Sequence, residues 1–169
     1  RNYEPQSPLN ISLFGAFGRR LVSEAPVKLR SKTLRFTAIL RCHQMAKLFI
    51  FLGSVSAMLA VMFGAFGAHA LKSRFDDYAM GVFETAVQYH FNHSFALLAV
   101  GIIALSQPQT VLLKTSGWLF LVGLIIFSGS LYILSLTGLR WLGAVTPLGG
   151  LAFIAGWACL AAASWRSFT

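Results

Sequence analysis

The chain has 169 residues, of which 56% belong to the apolar set AVILMFWYC and only 11% are charged. Soluble domains average about 25% charged residues, so the composition excludes a disordered acidic chain and an ordinary soluble enzyme domain. Two cysteines are too few for a disulfide scaffold. Fourteen Lys and Arg residues face five Asp and Glu residues at a mean hydropathy of +0.68, which indicates a basic integral membrane protein.

Most of the positive charge lies in residues 1–44, which carry eight basic and two acidic residues. The basic residues are scattered singly and no nucleic-acid-binding motif accompanies them, so we expect no nucleic-acid partner. The segment could be a basic tail near anionic lipid, an Arg-rich targeting segment, or an extension outside the working protein. Met45-Ala46-Lys47 precedes a long apolar run as a translation start would, which favours the third interpretation. We therefore expect 1–44 to be irregular and 45–169 to form the transmembrane domain.

Four runs of at least 24 residues contain no Asp, Glu, Lys or Arg. A helix of about 20 residues crosses the hydrocarbon core of a bilayer. Apolar residues run continuously within each segment, whereas the strands of a membrane barrel alternate. The sequence thus predicts an all-α polytopic membrane protein, a bundle of four transmembrane helices that span about 48–69, 86–106, 117–137 and 146–166.

Turn-forming residues separate these runs. Ser106-Gln107-Pro108-Gln109 interrupts the second and third, because proline cannot continue a helix. Gly138 follows Thr137 at the end of the third span, where glycine can adopt the left-handed cap conformation. Thr146 followed by Pro147 is typical of an N-cap and a first helical residue, and predicts the start of the fourth.

The first run has a second interpretation. Lys47, an apolar stretch and Ala68-His69-Ala70 together resemble a signal peptide with a small-x-small cleavage site. The stretch is longer than the apolar segment of most signal peptides, and cleavage would leave three spans in the membrane.

The orientation depends on residues 1–44. An even number of spans puts both termini on one side of the membrane. From Met45 onward each side carries three basic residues, which gives the positive-inside rule no preference. The eight basic residues of 1–44 would place both termini in the cytoplasm.

Small residues recur at four-residue spacing in the first and fourth runs, which is typical of close helix packing in lipid. They are Ala60, Gly64 and Ala68, then Ala152 with Gly156, then Ala155, Cys159 and Ala163. In the third run Ser128, Gly129 and Ser130 lie at mid-membrane, where the hydroxyls can bond to their own helix or to a neighbour. A lined substrate path is the alternative, with Ser128, Ser130 and Thr146 as its polar residues.

Most of the remaining polar residues gather where the first span ends and the second begins. On a helical wheel Glu84, Gln88 and Asn92 form one stripe, whereas His90 and His93 lie on another face. The candidate cluster consists of His69, Glu84, Tyr89, His90, Asn92 and His93.

The two histidines of the second span allow three roles. The His90-x-x-His93 spacing lets two imidazoles meet one metal ion, with His69 or Asp76 as a third ligand. The same histidines could instead hold helices together through hydrogen bonds, or relay protons. No nucleophile-and-base motif and no phosphate-binding loop are present, so we expect neither an enzyme nor a bound cofactor.

The chain contains four further motifs, in order and suitably spaced: Phe63 to Leu71, Tyr89-His90-x-x-His93, Phe127 to Tyr132 and Thr146 to Gly150. Together they resemble the small membrane-protein family called domain of unknown function 423 or uncharacterised protein family 0382, whose type is the bacterial YgdD-like proteins. The resemblance covers about 45–165 and implies a bacterial inner-membrane protein with four helices and no assigned activity. It includes His69, His90, His93, Ser128, Tyr132 and Pro147.

Three functions remain open from the sequence. The first is a non-enzymatic membrane component that stabilises or partners other membrane proteins. The second is a small transporter or a proton- or ion-coupled permease, which would be a homo-oligomer because four short helices enclose little volume. The third is a metalloprotein or membrane enzyme that uses His69, His90 and His93.

Overall fold

In a computed structural model of the protein, residues 27–106 and 110–167 are described, with side chains from Gln44 onward. The described residues form helices joined by short turns and contain no strand. Two of the helices are continued by π-helical segments, Gly67–Leu71 and Leu124–Ser128. The α-helices are α1 (Val27–Phe66), α2 (Asp77–Ser106), α3 (Val111–Gly123), α4 (Gly129–Thr137) and α5 (Leu142–Ser167).

Within the described residues four stretches are long and apolar enough to cross a membrane, which confirms the predicted all-α bundle of four transmembrane helices. Within the third, α3, a π-helical segment and α4 follow one another without a break. We call these stretches the first to fourth spans: Gln44–Leu71, Asp77–Ser106, Val111–Thr137 and Leu142–Arg166.

The second and third spans begin earlier than predicted. They start at Asp77 rather than about 86 and at Val111 rather than about 117. The side chains of Asp76 and Thr110 accept hydrogen bonds, of 2.7 and 3.3 Å, from backbone N–H groups of the first helical turns. Because capped polar turns can continue a helix beyond the hydrocarbon, hydropathy predicts only the part of the helix that lies within the hydrocarbon.

The fourth span also begins earlier, and the predicted start at Thr146 and Pro147 is wrong. Helix α5 begins at Leu142 and contains Pro147. Three consecutive backbone bonds of the i to i−3 type occupy the N–H groups of residues 142–144, so helical turns form before the proline. The predicted end of the third span is confirmed, because Gly138 has a φ of 72° and its N–H donates to the carbonyl of Leu134.

The chain divides into two compact units, 1–40 and 41–169. In the first unit, the described backbone is helical from Val27, which differs from the irregular segment expected for 1–44. Residues 27–44 contain neither glycine nor proline and are rich in Leu, Arg and Lys, which favour helix. Residues 1–26 lie outside the described part, and the boundary at residue 44 stays a prediction.

Glycines bring the spans of the second unit into close contact. A β-carbon at Gly53 would lie 2.8 Å from Cγ of Leu98, and one at Gly101 would lie 2.7 Å from Cγ1 of Ile50. The first and second spans therefore approach each other at glycines on both sides of one interface. Lipid provides no hydrophobic force between helices, so this close approach supplies packing energy instead.

The expected rows of small residues are only partly buried. Ala60, Gly156 and Ala163 are buried in the interior, whereas Ala68 and Ala155 are exposed. The rows therefore contribute to helix packing at some positions and face the surroundings at others.

Adjacent glycines in α5 provide a test of this packing. A β-carbon at Gly149 would meet the backbone of Phe127, 2.8 Å from its Cα, whereas one at Gly150 would lie 3.7 Å from the Phe127 ring. We expect Gly149→Ala to lower the free energy of unfolding by about 1–3 kcal/mol. Gly150→Ala should change it by less than about 0.5 kcal/mol. Unfolding by SDS in mixed micelles, followed by circular dichroism, measures both; equal losses would contradict the close contact.

Candidate functional site

His90 joins three spans through its two ring nitrogens. Its Nε2 lies 3.0 Å from Oγ of Ser56 on the first span. Its Nδ1 lies 3.1 Å from the hydroxyl of Tyr132 on the third span. Both nitrogens of this half-buried imidazole are thus hydrogen-bonded inside the bundle.

Ser94, one helical turn after His90, extends these contacts. Its Oγ lies 2.7 Å from the carbonyl oxygen of His90 and 2.8 Å from Oγ of Ser56. Ser94 is 0% exposed, so its hydroxyl depends on these partners. We call Ser56, His90, Ser94 and Tyr132 the His90 network; it fastens the first, second and third spans to one another.

Two phenylalanines enclose the tyrosine end of the His90 network. The ring of Phe63 lies 4.9 Å from that of Tyr132, and the ring of Phe83 lies 5.2 Å from it, between centroids. Phe83 takes its place because Gly67 has no side chain: a β-carbon there would lie 2.7 Å from Cε1 of Phe83. The two phenylalanine rings therefore place apolar surface around the ring of Tyr132.

His93 faces the fourth span instead. Its Nδ1 donates to the carbonyl oxygen of Tyr89 at 2.9 Å, and its Nε2 accepts from the indole N–H of Trp157 at 3.3 Å. A carbonyl only accepts and an indole N–H only donates, so these partners fix the Nδ1–H tautomer of His93. The ring of Phe153 stacks on the imidazole with centroids 3.5 Å apart.

The structure separates the three histidines that the metal hypothesis requires. His90 contacts the first and third spans and His93 the fourth, while His69 is exposed on the π-helical segment after α1. Among the described residues, no group of three or more His, Cys, Asp or Glu side chains could hold a metal ion. His90 and His93 are three residues apart on one helix, and each ring has its own hydrogen-bond partners.

The other three candidate residues of the second span lie at its surface. Glu84 and Asn92 are exposed, on the outward stripe that the helical wheel separates from the histidines. Tyr89 is also exposed in part, and its ring stacks on that of Phe127 with centroids 4.5 Å apart. The Glu84 carboxylate therefore lies outside the His90 network.

The mid-membrane serines behave differently from each other. Ser130 Oγ donates to the carbonyl of Phe127 and lies 2.9 Å from Oγ1 of Thr146, which links the third span to the fourth. Ser128 is 1% exposed, and its Oγ has no hydrogen-bond partner in the described part of the chain. Gly129 between them faces open space, since an added β-carbon would meet no atom within 4 Å.

Three residues of the site were missed from the sequence. Ser56, Ser94 and Trp157 each lie in an apolar run, where a serine or a tryptophan is unremarkable. Ser94 lies four residues after His90 on the same helix face, which is a usable signal. Ser56 and Trp157 come from other spans, so only the rotation of those helices reveals them.

Four apolar helices fastened by buried hydrogen bonds define a multi-pass integral membrane protein. The family model described as "Protein of unknown function (DUF423)" matches residues 63–150, the same bounds as the four motifs. The chain belongs to this family, also called UPF0382, as its motifs predicted.

Bacterial relatives support the assignment. The UPF0382 membrane protein SH2409 of Staphylococcus haemolyticus is 47% identical over 120 residues, which cover 71% of this chain and 97% of the relative. UPF0382 membrane protein YwdK of Bacillus subtilis is 47% identical over 118 residues, which cover 70% and 96%. No solved structure matches the chain significantly. The chain is thus similar to membrane proteins along nearly their whole length.

Removal of one hydroxyl tests the His90 network. Tyr132→Phe keeps the ring between Phe63 and Phe83 but removes the partner of His90 Nδ1. We expect the free energy of unfolding to fall by about 0.6–1.7 kcal/mol, the range for hydrogen bonds between transmembrane helices. Tyr78→Phe is the matched control, because Tyr78 is 66% exposed. SDS unfolding of both variants in bicelles measures the difference, and equal stabilities would show that the bond contributes nothing.

Proposed function

We propose that the protein is a non-enzymatic structural component of the membrane. One observation carries the proposal: all four ring nitrogens of His90 and His93 are hydrogen-bonded, three of them to neighbouring helices and the fourth to a carbonyl of the histidines' own helix. A metal-binding imidazole needs a ring nitrogen whose lone pair is free for the ion. Here the hydrogen bonds of the imidazoles join neighbouring spans.

The interior supports the same role. Phe49, Phe120, Leu97 and Val100 fill the core with side chains that are at most 1% exposed. A substrate path through mid-membrane would have to expose Ser128, which is only 1% exposed. A filled core and separately bonded histidines favour a stable scaffold over a conduit.

The location and partners follow from the family and from charge. We infer a bacterial inner membrane with both termini in the cytoplasm, because residues 1–44 carry eight of the fourteen basic residues. The partners of such a scaffold are further copies of itself or other membrane proteins, reached through its lipid-facing sides. Large apolar side chains exposed on all four spans, such as Phe51, Ile102, Ile125 and Ile154, provide those sides.

A proton-coupled permease is the second candidate, and the His90 network favours it. The two hydrogen bonds of the His90 ring can be made in either direction. In one order His90 Nε2–H donates to Ser56 and the Tyr132 hydroxyl donates to Nδ1. In the other order the Ser56 hydroxyl donates to Nε2 and His90 Nδ1–H donates to Tyr132. Interconversion of two such orders is how a hydrogen-bonded chain moves a proton.

Proton flux separates the two candidates. We expect vesicles that contain the purified protein and an internal pH-sensitive dye to acidify, under a potassium-diffusion potential, no faster than protein-free vesicles. A scaffold whose hydrogen bonds are static conducts no protons.

The matched variants make the opposite result informative. Flux above the protein-free rate that falls in Ser56→Ala, but not in Ser135→Ala, would overturn the scaffold and favour the permease. Ser135 is the control because, among the residues that the structure describes, its Oγ bonds only to the carbonyl of Tyr132 within its own helix.

The orientation is tested by a reporter fused after Thr169. We expect a cytoplasmic reporter to be active and a periplasmic one, such as alkaline phosphatase, to be inactive, because the excess of basic residues retains the termini inside. Periplasmic activity of the fusion, with the cytoplasmic reporter silent, would contradict this orientation.

A further inference from the structure

A cleft of about 200 Å³ lies between the first and second spans, near the end where the chain passes from one to the other. Gly64 and Ala68 form its wall on the first span, and Met80, Phe83 and Val87 form its wall on the second. The cleft exists because glycine and alanine leave a groove that the larger side chains frame without filling. Its size is below the roughly 300 Å³ of ordinary ligand pockets, so an occupant would be enclosed only in part.

Two polar side chains line this otherwise apolar cleft. Glu84 and Gln88 lie one helical turn apart on the second span, and both are exposed. Neither makes a hydrogen bond or ion pair to the described residues. A carboxylate at the edge of the hydrocarbon that has no internal partner is a strong acceptor for a cation.

We propose that the cleft binds an amphiphile with a primary ammonium group, and that this amphiphile is phosphatidylethanolamine of the surrounding bilayer. Its ammonium donates to the carboxylate of Glu84 and to the side-chain oxygen of Gln88. The first part of one acyl chain lies in the groove above Gly64 and Ala68. The rest of the lipid stays in the membrane, in agreement with the small volume of the cleft.

Hydrogen-bonding capacity selects the headgroup. A primary ammonium has three N–H donors, whereas the quaternary ammonium of phosphatidylcholine has none for Glu84 and Gln88 to accept. An anionic headgroup would bring negative charge towards Glu84. Lys72 and Arg74 are exposed in the turn between the same two spans, where they complement the lipid phosphate. The Glu84 carboxylate in the wall of the cleft and the basic side chains of Lys72 and Arg74 in the turn match the opposite charges of a zwitterion with a terminal primary amine.

Native mass spectrometry of the intact protein tests the lipid preference. The protein is mixed with equal amounts of phosphatidylethanolamine, phosphatidylcholine and phosphatidylglycerol, and the retained lipid is counted. We expect phosphatidylethanolamine to be retained roughly tenfold over phosphatidylcholine, the ratio for one charge-assisted hydrogen bond. Glu84→Gln, which removes the charge and keeps a neutral acceptor, should lower the preference severalfold. Asp77→Asn should keep it, because Asp77 is exposed at the same end but does not line the cleft.

A second pair of variants tests the cleft itself without any change of charge. Ala68→Leu fills the groove and should abolish the preference, whereas Ala65→Leu, on an exposed neighbouring position outside the cleft, should keep it. Equal retention of the three lipids by the wild-type protein would overturn the proposal. So would equal losses in Glu84→Gln and Asp77→Asn. Retention of dodecylamine without retention of phosphatidylethanolamine would assign the site to free amines and overturn the lipid as its occupant.

Discussion

A polar side chain buried among transmembrane helices can find a hydrogen-bond partner only inside the protein, because the hydrocarbon offers none. The second span satisfies this requirement within about one turn of helix. His90 bonds to Ser56 and Tyr132, and His93 bonds to Trp157. One short stretch therefore contacts each of the other three spans. Rotation of this helix about its axis would break all three contacts together, so the rotational setting of the whole bundle depends on two imidazoles.

Apolar packing in the bundle follows shape rather than hydrophobicity. Lipid chains are as apolar as phenylalanine, so burial alone gives a side chain no reason to leave them. The ring of Phe49 instead occupies the space left by Gly117, and the ring of Phe120 occupies the space left by Gly156, where β-carbons would approach within 2.6 and 2.8 Å. Each pair replaces a flexible lipid chain by a fixed, complementary surface, which gains dispersion energy.

Sequence reasoning reached the four spans and the separation of Glu84 from the two histidines of the second span, and it failed at helix ends and at hydrogen-bond partners. Long charge-free runs and helical periodicity need no knowledge of neighbours, so they predicted four crossings and put His90 and His93 on a face apart from Glu84. Helix starts depend instead on caps such as Asp76 and on local backbone bonds, which hydropathy does not register. The partner Ser56 depends on how two helices are rotated against each other, and a single hydroxyl in an apolar run carries no sign of it.

The π-helical segment Leu124–Ser128 in the third span has a consequence for the relation between sequence and helix face. A π turn holds an additional residue, so the residues after it are rotated by about 100° relative to an uninterrupted α-helix. The two halves of this span are thus out of phase, and Tyr132 contacts His90 from the half that follows the offset. The additional residue of this segment thus sets which side chain of the third span faces His90. In a relative that is one residue shorter here, a different side chain would face the same imidazole.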